Sequence, residues 1–209
     1  MSQTLFQPPS RPVPEGKITF EQFLEWLDEE THAEWVEGEV RVMSPVSDAH
    51  ADLNDLLRAI VRLFVEEKGL GMVRSEPFLI RLGEGMPAYS PDLFFVSIPR
   101  LHLMRSNFFD GAPDLVVEII SPESRARDRG EKFENYEKAG VREYWLIDPE
   151  RRRAEFYHLG EDGFYEPMPV DEQGVVRSVE LPGLWLKVSW FWQKPLPNVM
   201  DVLREWGLV

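Results

Sequence analysis

The apolar positions of this chain fall into blocks that switch between helical and strand spacing. Phe20, Phe23, Leu24 and Leu27 recur at three- and four-residue intervals, as one face of a helix requires. Thr19 and Gln22 have capping-box spacing, and Ile18 and Phe23 stand at the positions of a hydrophobic staple. Trp35 and Val36 precede Gly38, and Val40 and Val42 alternate after it, which predicts a hairpin that Pro45 ends. A long helix follows from about Ala49 to Lys68. Leu53, Leu56, Leu57, Ile60 and Phe64 form its stripe, and Gly69 is its stop.

Strand patterns come next. Phe78, Ile80 and Leu82 alternate, so one face of that strand is wet. Leu93 to Ile98 and Leu115 to Ile120 are nearly continuous apolar runs and read as central strands, joined by a longer connection over 99–113. A single helix is expected from about Arg125 to Ala139, stopping at Gly140. Glu143 to Ile147 and Ala154 to His158 read as strands, and 143–168 as antiparallel edge structure punctuated by Pro149, Gly160 and Gly163. One or two short strands lie between Val175 and Leu186. Asn198 caps a short helix carrying Val199, Val202, Leu203 and Trp206. Helices and strands alternate in the middle and strands dominate later, which predicts a mixed α/β or α+β domain. Residues 1–17, rich in proline, are expected to form a flexible arm. The domain then spans 18–192, and 193–209 form a tail with a short helix.

Composition narrows the chemistry. The chain carries 37 acidic against 23 basic side chains, a net charge of -14. That argues against a nonspecific nucleic-acid coat, because phosphate binding is largely electrostatic, but it does not exclude a nuclease. The excess is uneven: residues 121–160 hold nine of each sign and are neutral. No run approaches the ~18 apolar residues of a membrane span, and no basic stretch followed by an apolar one opens the chain. A cytoplasmic location is therefore expected. Cysteine is absent, which excludes disulfides, thiolate metal sites and cysteine nucleophiles. The sequence also lacks a phosphate-cradling glycine loop, a dinucleotide fingerprint and a nucleophile elbow.

Two acidic residues interrupt strands that should be buried. Asp92 heads the run Leu93–Val96, and Glu118 stands inside Asp114-Leu-Val-Val-Glu-Ile-Ile120. An unpaired buried carboxylate costs several kcal/mol or forces a large pKa shift. Either a divalent cation or a core Arg or Lys must compensate it. Strand parity puts Val116, Glu118 and Ile120 on one face. If the Asp92 strand is its neighbour, the two carboxylates meet at one end of the sheet and suit Mg²⁺ or Mn²⁺. On the following helix Asp128, Lys132 and Tyr136 share a face. Two accounts of that face stand side by side. One is a surface ion pair with an amphipathic Tyr. In the other, Lys132 reaches back over the strand end toward a phosphodiester.

Several segments together carry a resemblance. Ala33-Glu-Trp-Val-Glu-Gly-Glu39 precedes Met43-Ser-Pro45, and His50 opens the next helix. Pro91-Asp92 begins a strand, followed by Pro113-Asp-Leu-Val-Val-Glu-Ile-Ile-Ser-Pro122. Then come Asp128, Lys132, Gly140-Val-Arg-Glu-Tyr-Trp-Leu-Ile-Asp-Pro149 and Leu181-Pro-Gly183. Over about residues 18–192 this resembles the Uma-type family of restriction endonucleases, a branch of the PD-(D/E)XK nuclease superfamily. The resemblance implies a restriction-endonuclease-like α/β fold with a central mixed sheet flanked by helices. It also implies metal-dependent hydrolysis of DNA by a homodimer, with Mg²⁺ or Mn²⁺ as cofactor. Asp92 and Glu118 match its metal ligands, and Glu39 matches an acid of its hairpin that could add a third. The superfamily pattern places a lysine two residues after the second acid. Here Ile120 stands there, and Lys132 is the matching candidate if the lysine has moved onto the helix. That departure supports the alternative, a noncatalytic nucleic-acid-binding or protein-interaction module that keeps the fold.

The resemblance offers accessory roles as well. His50 could contact phosphate or position a ligand, or simply bond to a loop. Ser121, Asp128 and Tyr136 could support the ligands, and Ser124 could cap the helix. Arg125, Arg129, Arg151 and Arg152 are candidate phosphate contacts, with a solvated, charge-balanced turn as the alternative at 151–153. Trp185, Trp190, Phe191 and Trp192 either pack or stack on bases. His32, His102 and His158 have no metal-ligand spacing to one another.

Overall fold

A computed structural model describes residues 9, 11–28 and 30–209. Residues 1–8 and 10 of the expected arm lie outside the described residues. Arg11 and Pro12, within them, are tied to the first helix. Arg11 Nη1 donates to the Glu25 carbonyl at 3.1 Å, and Trp26 Nε1 donates to the Pro12 carbonyl at 2.9 Å.

Helix α1 (Phe20–Trp26) opens on a complete Thr19/Gln22 capping box. The hairpin is β1 (Ala33–Val36) and β2 (Glu39–Val42), turning through Glu37 and Gly38, both at positive φ. Helix α2 (Asp48–Lys68) is capped by the Ser47 hydroxyl, which accepts from the His50 amide. It ends on Gly69 in the left-handed region. Strands β3 (Gly71–Arg74), β4 (Leu79–Arg81), β5 (Ala88–Tyr89) and β6 (Leu93–Ser97) follow. The long connection then holds a 3-10 turn at Ile98–Leu103 and a short strand, β7 (Phe108–Asp110). β8 (Leu115–Ile119) is buried throughout.

The single helix expected over 125–139 is two: α3 (Arg125–Arg129) and α4 (Glu131–Ala139). Gly130, with φ -118 and ψ -94, leaves helical space between them. The break lets α4 set its own direction against the sheet. β9 (Glu143–Asp148), β10 (Arg153–Leu159) and β11 (Tyr165–Pro167) come next. The pair β12 (Val175–Arg177) and β13 (Trp185–Lys187) follows, then α5 (Val199–Glu205), capped by Asn198.

Six strands form the main sheet in the order β11-β10-β9-β8-β6-β3. The sheet is mixed: β8 and β9 run parallel, and the other neighbours are antiparallel. β9 is therefore interior, not part of an antiparallel edge. α3 and α4 supply the crossover that parallel neighbours need. The edge strands are β11 and β3, so of the expected edge structure only β11 stands at an edge.

On one face of this sheet Leu93, Val117, Ile119, Trp145 and Ile147 pack against Leu53, Leu57, Ile60 and Phe64 of α2. Each such burial stabilises by roughly 1.5–3 kcal/mol. The C-terminal helix joins that layer, with Trp206 edge-on to Phe64 at 5.5 Å. On the other face Val116, Ile120, Tyr144 and Leu146 meet Tyr136 of α4 and Val36, Ile80 and Tyr89 of a second sheet. That sheet has the order β2-β1-β5-β4-β7, and α1 packs on it through Phe20 and Phe23. Glu118 shares the face of Val116 and Ile120, so its carboxylate lies where the two sheets and α4 meet.

One glycine is fixed by packing. A Cβ on Gly71 would lie 2.1 Å from the Val96 carbonyl oxygen and 2.9 Å from Ser97 Cα, at φ 158. Both obstacles are backbone of the paired strand β6. Gly71→Ala is expected to lower the unfolding free energy by about 1–3 kcal/mol, measured by urea denaturation. A change below about 0.5 kcal/mol, the range of neutral surface substitutions, would contradict this close approach of β3 to β6.

Candidate metal centre

The register of β6 and β8 pairs Leu93 with Val117. One further residue along each strand sets Asp92 beside Glu118. The Ile119 amide donates to Asp92 Oδ2 at 2.6 Å, and His50 Nε2 lies 2.7 Å from Asp92 Oδ1. His50 stands in the first turn of α2, whose Ser47 cap fixes it over the strand ends. Glu76, in the link between β3 and β4, completes a group. His50, Glu76 and Asp92 each offer a ligand atom within 4.8 Å of the others. This His/Glu/Asp cluster is capable of coordinating a divalent cation.

Lys132 is fully buried behind that cluster. Its Nζ lies 2.8 Å from Glu118 Oε1, 2.9 Å from Glu34 Oε1 and 3.8 Å from Asp128 Oδ1. The Tyr136 hydroxyl also donates to Glu118 Oε1, at 2.8 Å. Among the described residues, no bond falls on Glu118 Oε2. A cavity of about 420 Å³ opens over the group, lined by His32, His50, Glu76, Asp92, Glu118, Ser121, Arg127, Asp128 and Lys132 among others.

Carboxyl groups crowd here. Glu34, Glu76, Asp92, Glu118 and Asp128 face two permanent cations, Lys132 and Arg127. Burial pushes Glu118 well above the ordinary carboxylate range. Lys132 opposes that rise, and the nearby Asp128 and Asp92 charges add to it. Burial alone would lower the Lys132 pKa, but Glu118, Glu34 and Asp128 hold it above the ordinary lysine value, so the ammonium stays charged. Glu34 is buried too, yet Lys132 and Arg127 outweigh that and keep it ionised. Burial and the Asp92 charge push Glu76 up to about 7. Burial would lower His50, but the Asp92 hydrogen bond and charge raise it. Glu34 Oε2, His50 Nδ1, Arg127 Nε and Asp128 Oδ1 are buried with no hydrogen-bond partner. The pocket thus crowds carboxyl groups that burial drives toward protonation, and a cation would displace those protons; it also holds unsatisfied donors and acceptors that the cation's waters would satisfy.

Of the residues expected from sequence, Asp92, Glu118, Lys132, His50, Asp128, Tyr136 and Ser121 come together here. Ser121 and Ser124 bond reciprocally, each hydroxyl accepting from the other's amide at 3.0–3.1 Å. Ser124 therefore makes no side-chain cap on α3. Glu39 is not brought in. It is exposed on β2, paired across the hairpin with Val36. Arg125 is paired with Asp148 at 3.2 Å and Glu150 at 2.9 Å, and Arg129 with Glu155 at 2.7 Å. Arg151 and Arg152 are exposed in the turn after β9. Trp190 and Phe191 are core residues, and Trp185 and Trp192 pack against them.

Sequence reasoning missed Glu34, Glu76, His32 and Arg127. For Glu34 the signal was present: it interrupts Ala33-Glu-Trp-Val36, a strand buried at every position, as Glu118 interrupts β8. Parity turns Ala33 and Trp35 toward α1 and Glu34 toward Lys132. Glu76 lies in a loop between short strands, where no periodicity marks it.

Comparison with known proteins places this architecture. The family described as "Uma2: Putative restriction endonuclease" matches residues 20–189. The chain belongs to the Uma2 family. A relative named "Uncharacterized protein slr1290", from Synechocystis sp. (strain ATCC 27184 / PCC 6803 / Kazusa), is 27% identical over 157 residues. The match covers 74% of this chain and 80% of that protein. Among solved structures, one described as a "putative nuclease belonging to DUF820 from Anabaena variabilis ATCC 29413" superposes with a TM-score of 0.70 at 20% identity. It covers 83% of this chain and 97% of the other. That likeness shows the shared fold: mixed sheets flanked by helices in a restriction-endonuclease-like arrangement. In this Uma2 chain no helix among the described residues is long and apolar enough to cross a membrane.

The buried lysine yields a stability test. Lys132→Met leaves Glu118 without its cation and Glu34 with Arg127 alone, 3.9 Å away. Removing one partner of a buried ion pair costs about 3–5 kcal/mol, and pairing the change with Glu118→Gln should restore part of that. Chemical denaturation of the single and double variants measures it. A loss below about 1 kcal/mol in the single variant, the range of exposed pairs, would contradict the buried network.

Proposed function

We propose that this protein is a metal-dependent nuclease that hydrolyses DNA phosphodiester bonds at the Asp92–Glu118 cleft. One observation carries the reading. Carboxyl groups from neighbouring strands, with His50 and Glu76, converge on a single cleft and place ligand atoms of His50, Glu76 and Asp92 within 4.8 Å of one another. Asp92 and Glu118, joined by Glu76 and His50, would hold the ion. An oxygen-rich set with one imidazole suits Mg²⁺ or Mn²⁺. The chemistry such an ion supplies is polarisation of the phosphodiester and acidification of a water molecule.

The protein's residues do the rest. The Ile119 amide and His50 fix both oxygens of Asp92, so its position is set before substrate arrives. Tyr136 and Lys132 hold Glu118 by one oxygen and leave the other toward the cleft. Lys132 stays charged, so it serves as a donor beside the reacting phosphorus and offsets charge there. It does not serve as a base. Glu34 keeps the ammonium from swinging away.

A second reading, a binding module without catalysis, is favoured by one feature. The Lys132 ammonium is already shared between Glu34 and Glu118. A cleavage assay with single-stranded and duplex DNA in Mg²⁺ and Mn²⁺ separates the two. Catalysis predicts turnover that Glu118→Gln and Lys132→Ala each reduce on the order of 100-fold or more. Calorimetric titration with Mn²⁺ should show that Asp92→Asn weakens binding of the ion. Undetectable cleavage of every substrate despite Mn²⁺ binding would contradict the catalytic reading and favour the module.

A further inference from the structure

A second depression, about 600 Å³, lies between α2, β3 and the segment after α1, with Ser75 and Pro77 on either side of Glu76 in its lining. Arg58, Arg62, Arg74 and Phe78 line it. In a chain of net charge -14 most arginines are tied to carboxylates, but two of these are not. Among the described residues Arg58 makes no ion pair or hydrogen bond, and Arg74 bonds only the neighbouring Val73 carbonyl, at 3.1 Å. Arg62 pairs with Glu66 on its own helix at 2.8 Å and is more than half exposed. Asp28 also reaches the depression, so the cationic excess there is small but local.

The placement of these groups is regular. His50, Asn54, Arg58 and Arg62 recur every four residues on α2, so they form a row that drifts about 40° around the helix per step, from buried His50 and Asn54 to exposed Arg58 and Arg62. His50 is in the metal cluster, and Asn54 Nδ2 lies 3.5 Å from Glu76 Oε1. Arg58 and Arg62 then continue the row into the depression. Each step rises about 6 Å, of the order of one nucleotide along a strand. Across the groove, Arg74 is two residues from Glu76 on the chain. Pro77 and Phe78 add an apolar wall of the kind on which bases rest.

We propose that this groove is the track for a DNA backbone leaving the cleft, with Arg58 and Arg74 on successive phosphates and Arg62 beyond them. The inference rests on reading the cleft as a phosphodiesterase centre and names how that centre holds its substrate. It also accounts for how so acidic a protein could engage a polyanion: repulsion is general, and the exception is a narrow strip running from the reactive end.

Binding of fluorescein-labelled single-stranded and duplex oligodeoxynucleotides, followed by anisotropy with Ca²⁺ replacing the catalytic ion, tests it. Arg58→Gln and Arg74→Gln should each weaken binding roughly tenfold at low salt. Each should also reduce the slope of log affinity against log salt by about 1. Arg177→Gln, outside the groove and equal in charge change, should do neither. Thermal melting of each variant checks the fold. No binding by the unaltered protein, unchanged affinity and slope in the groove variants, or equal weakening by Arg177→Gln would overturn the track. Cleavage assays on the same variants keep the two proposals apart. Cleavage with unaltered groove binding sinks the track alone, whereas groove-dependent binding without cleavage supports it and sinks the catalytic reading.

Discussion

One ammonium group holds the centre of this molecule. Lys132 lies buried where two sheets and α4 meet, within reach of Glu34 from one sheet, Glu118 from the other and Asp128 from α3. Burying any of these carboxylates alone would cost several kcal/mol. Together with the lysine they become a polar joint between the layers. The same joint fixes the cleft, because it pins Glu118 by one oxygen beside Asp92. Architecture and candidate chemistry therefore depend on one interaction.

The joint is crowded with carboxyl groups and incomplete in its hydrogen bonds. One lysine and a more distant arginine face five carboxylates, and several polar atoms are left unpartnered. A purely structural network gains nothing from that, since each unsatisfied buried group is destabilising. A site that admits a cation and water does. Stability is given up at the cleft, and the two large apolar layers around the central sheet supply it.

Much of the fold was legible in the chain because its signals are local. The Thr19 capping box, the turn at Gly38, the Gly69 stop and the apolar runs of β6 and β8 each depend on neighbours in sequence. What was not legible depends on tertiary placement. Gly130 splits a helix whose four-residue repeat Asp128, Lys132, Tyr136 runs on through it. β9 reads as an edge strand but is interior, because the crossover of α3 and α4 lays it parallel to β8. Within the site, Asp92, Glu118 and Lys132 could be found because a charge in a buried pattern demands compensation. That logic reaches Glu34 as well, whereas family resemblance pointed to Glu39, which parity and the turn send to solvent. Glu76 carries no periodic signal, since its place is set by a loop. Arg125 and Arg129 share a helix with the site, and their guanidinium groups pair with Asp148, Glu150 and Glu155.

The proposed chemistry requires a cation seated among these carboxyl groups. Crystals soaked in Mn²⁺ and measured at the manganese absorption edge test this most directly. An anomalous peak within coordinating distance of Asp92 and Glu118, with His50 or Glu76 at its side, is the predicted result. Full occupancy of some other site with none at this cleft would contradict it.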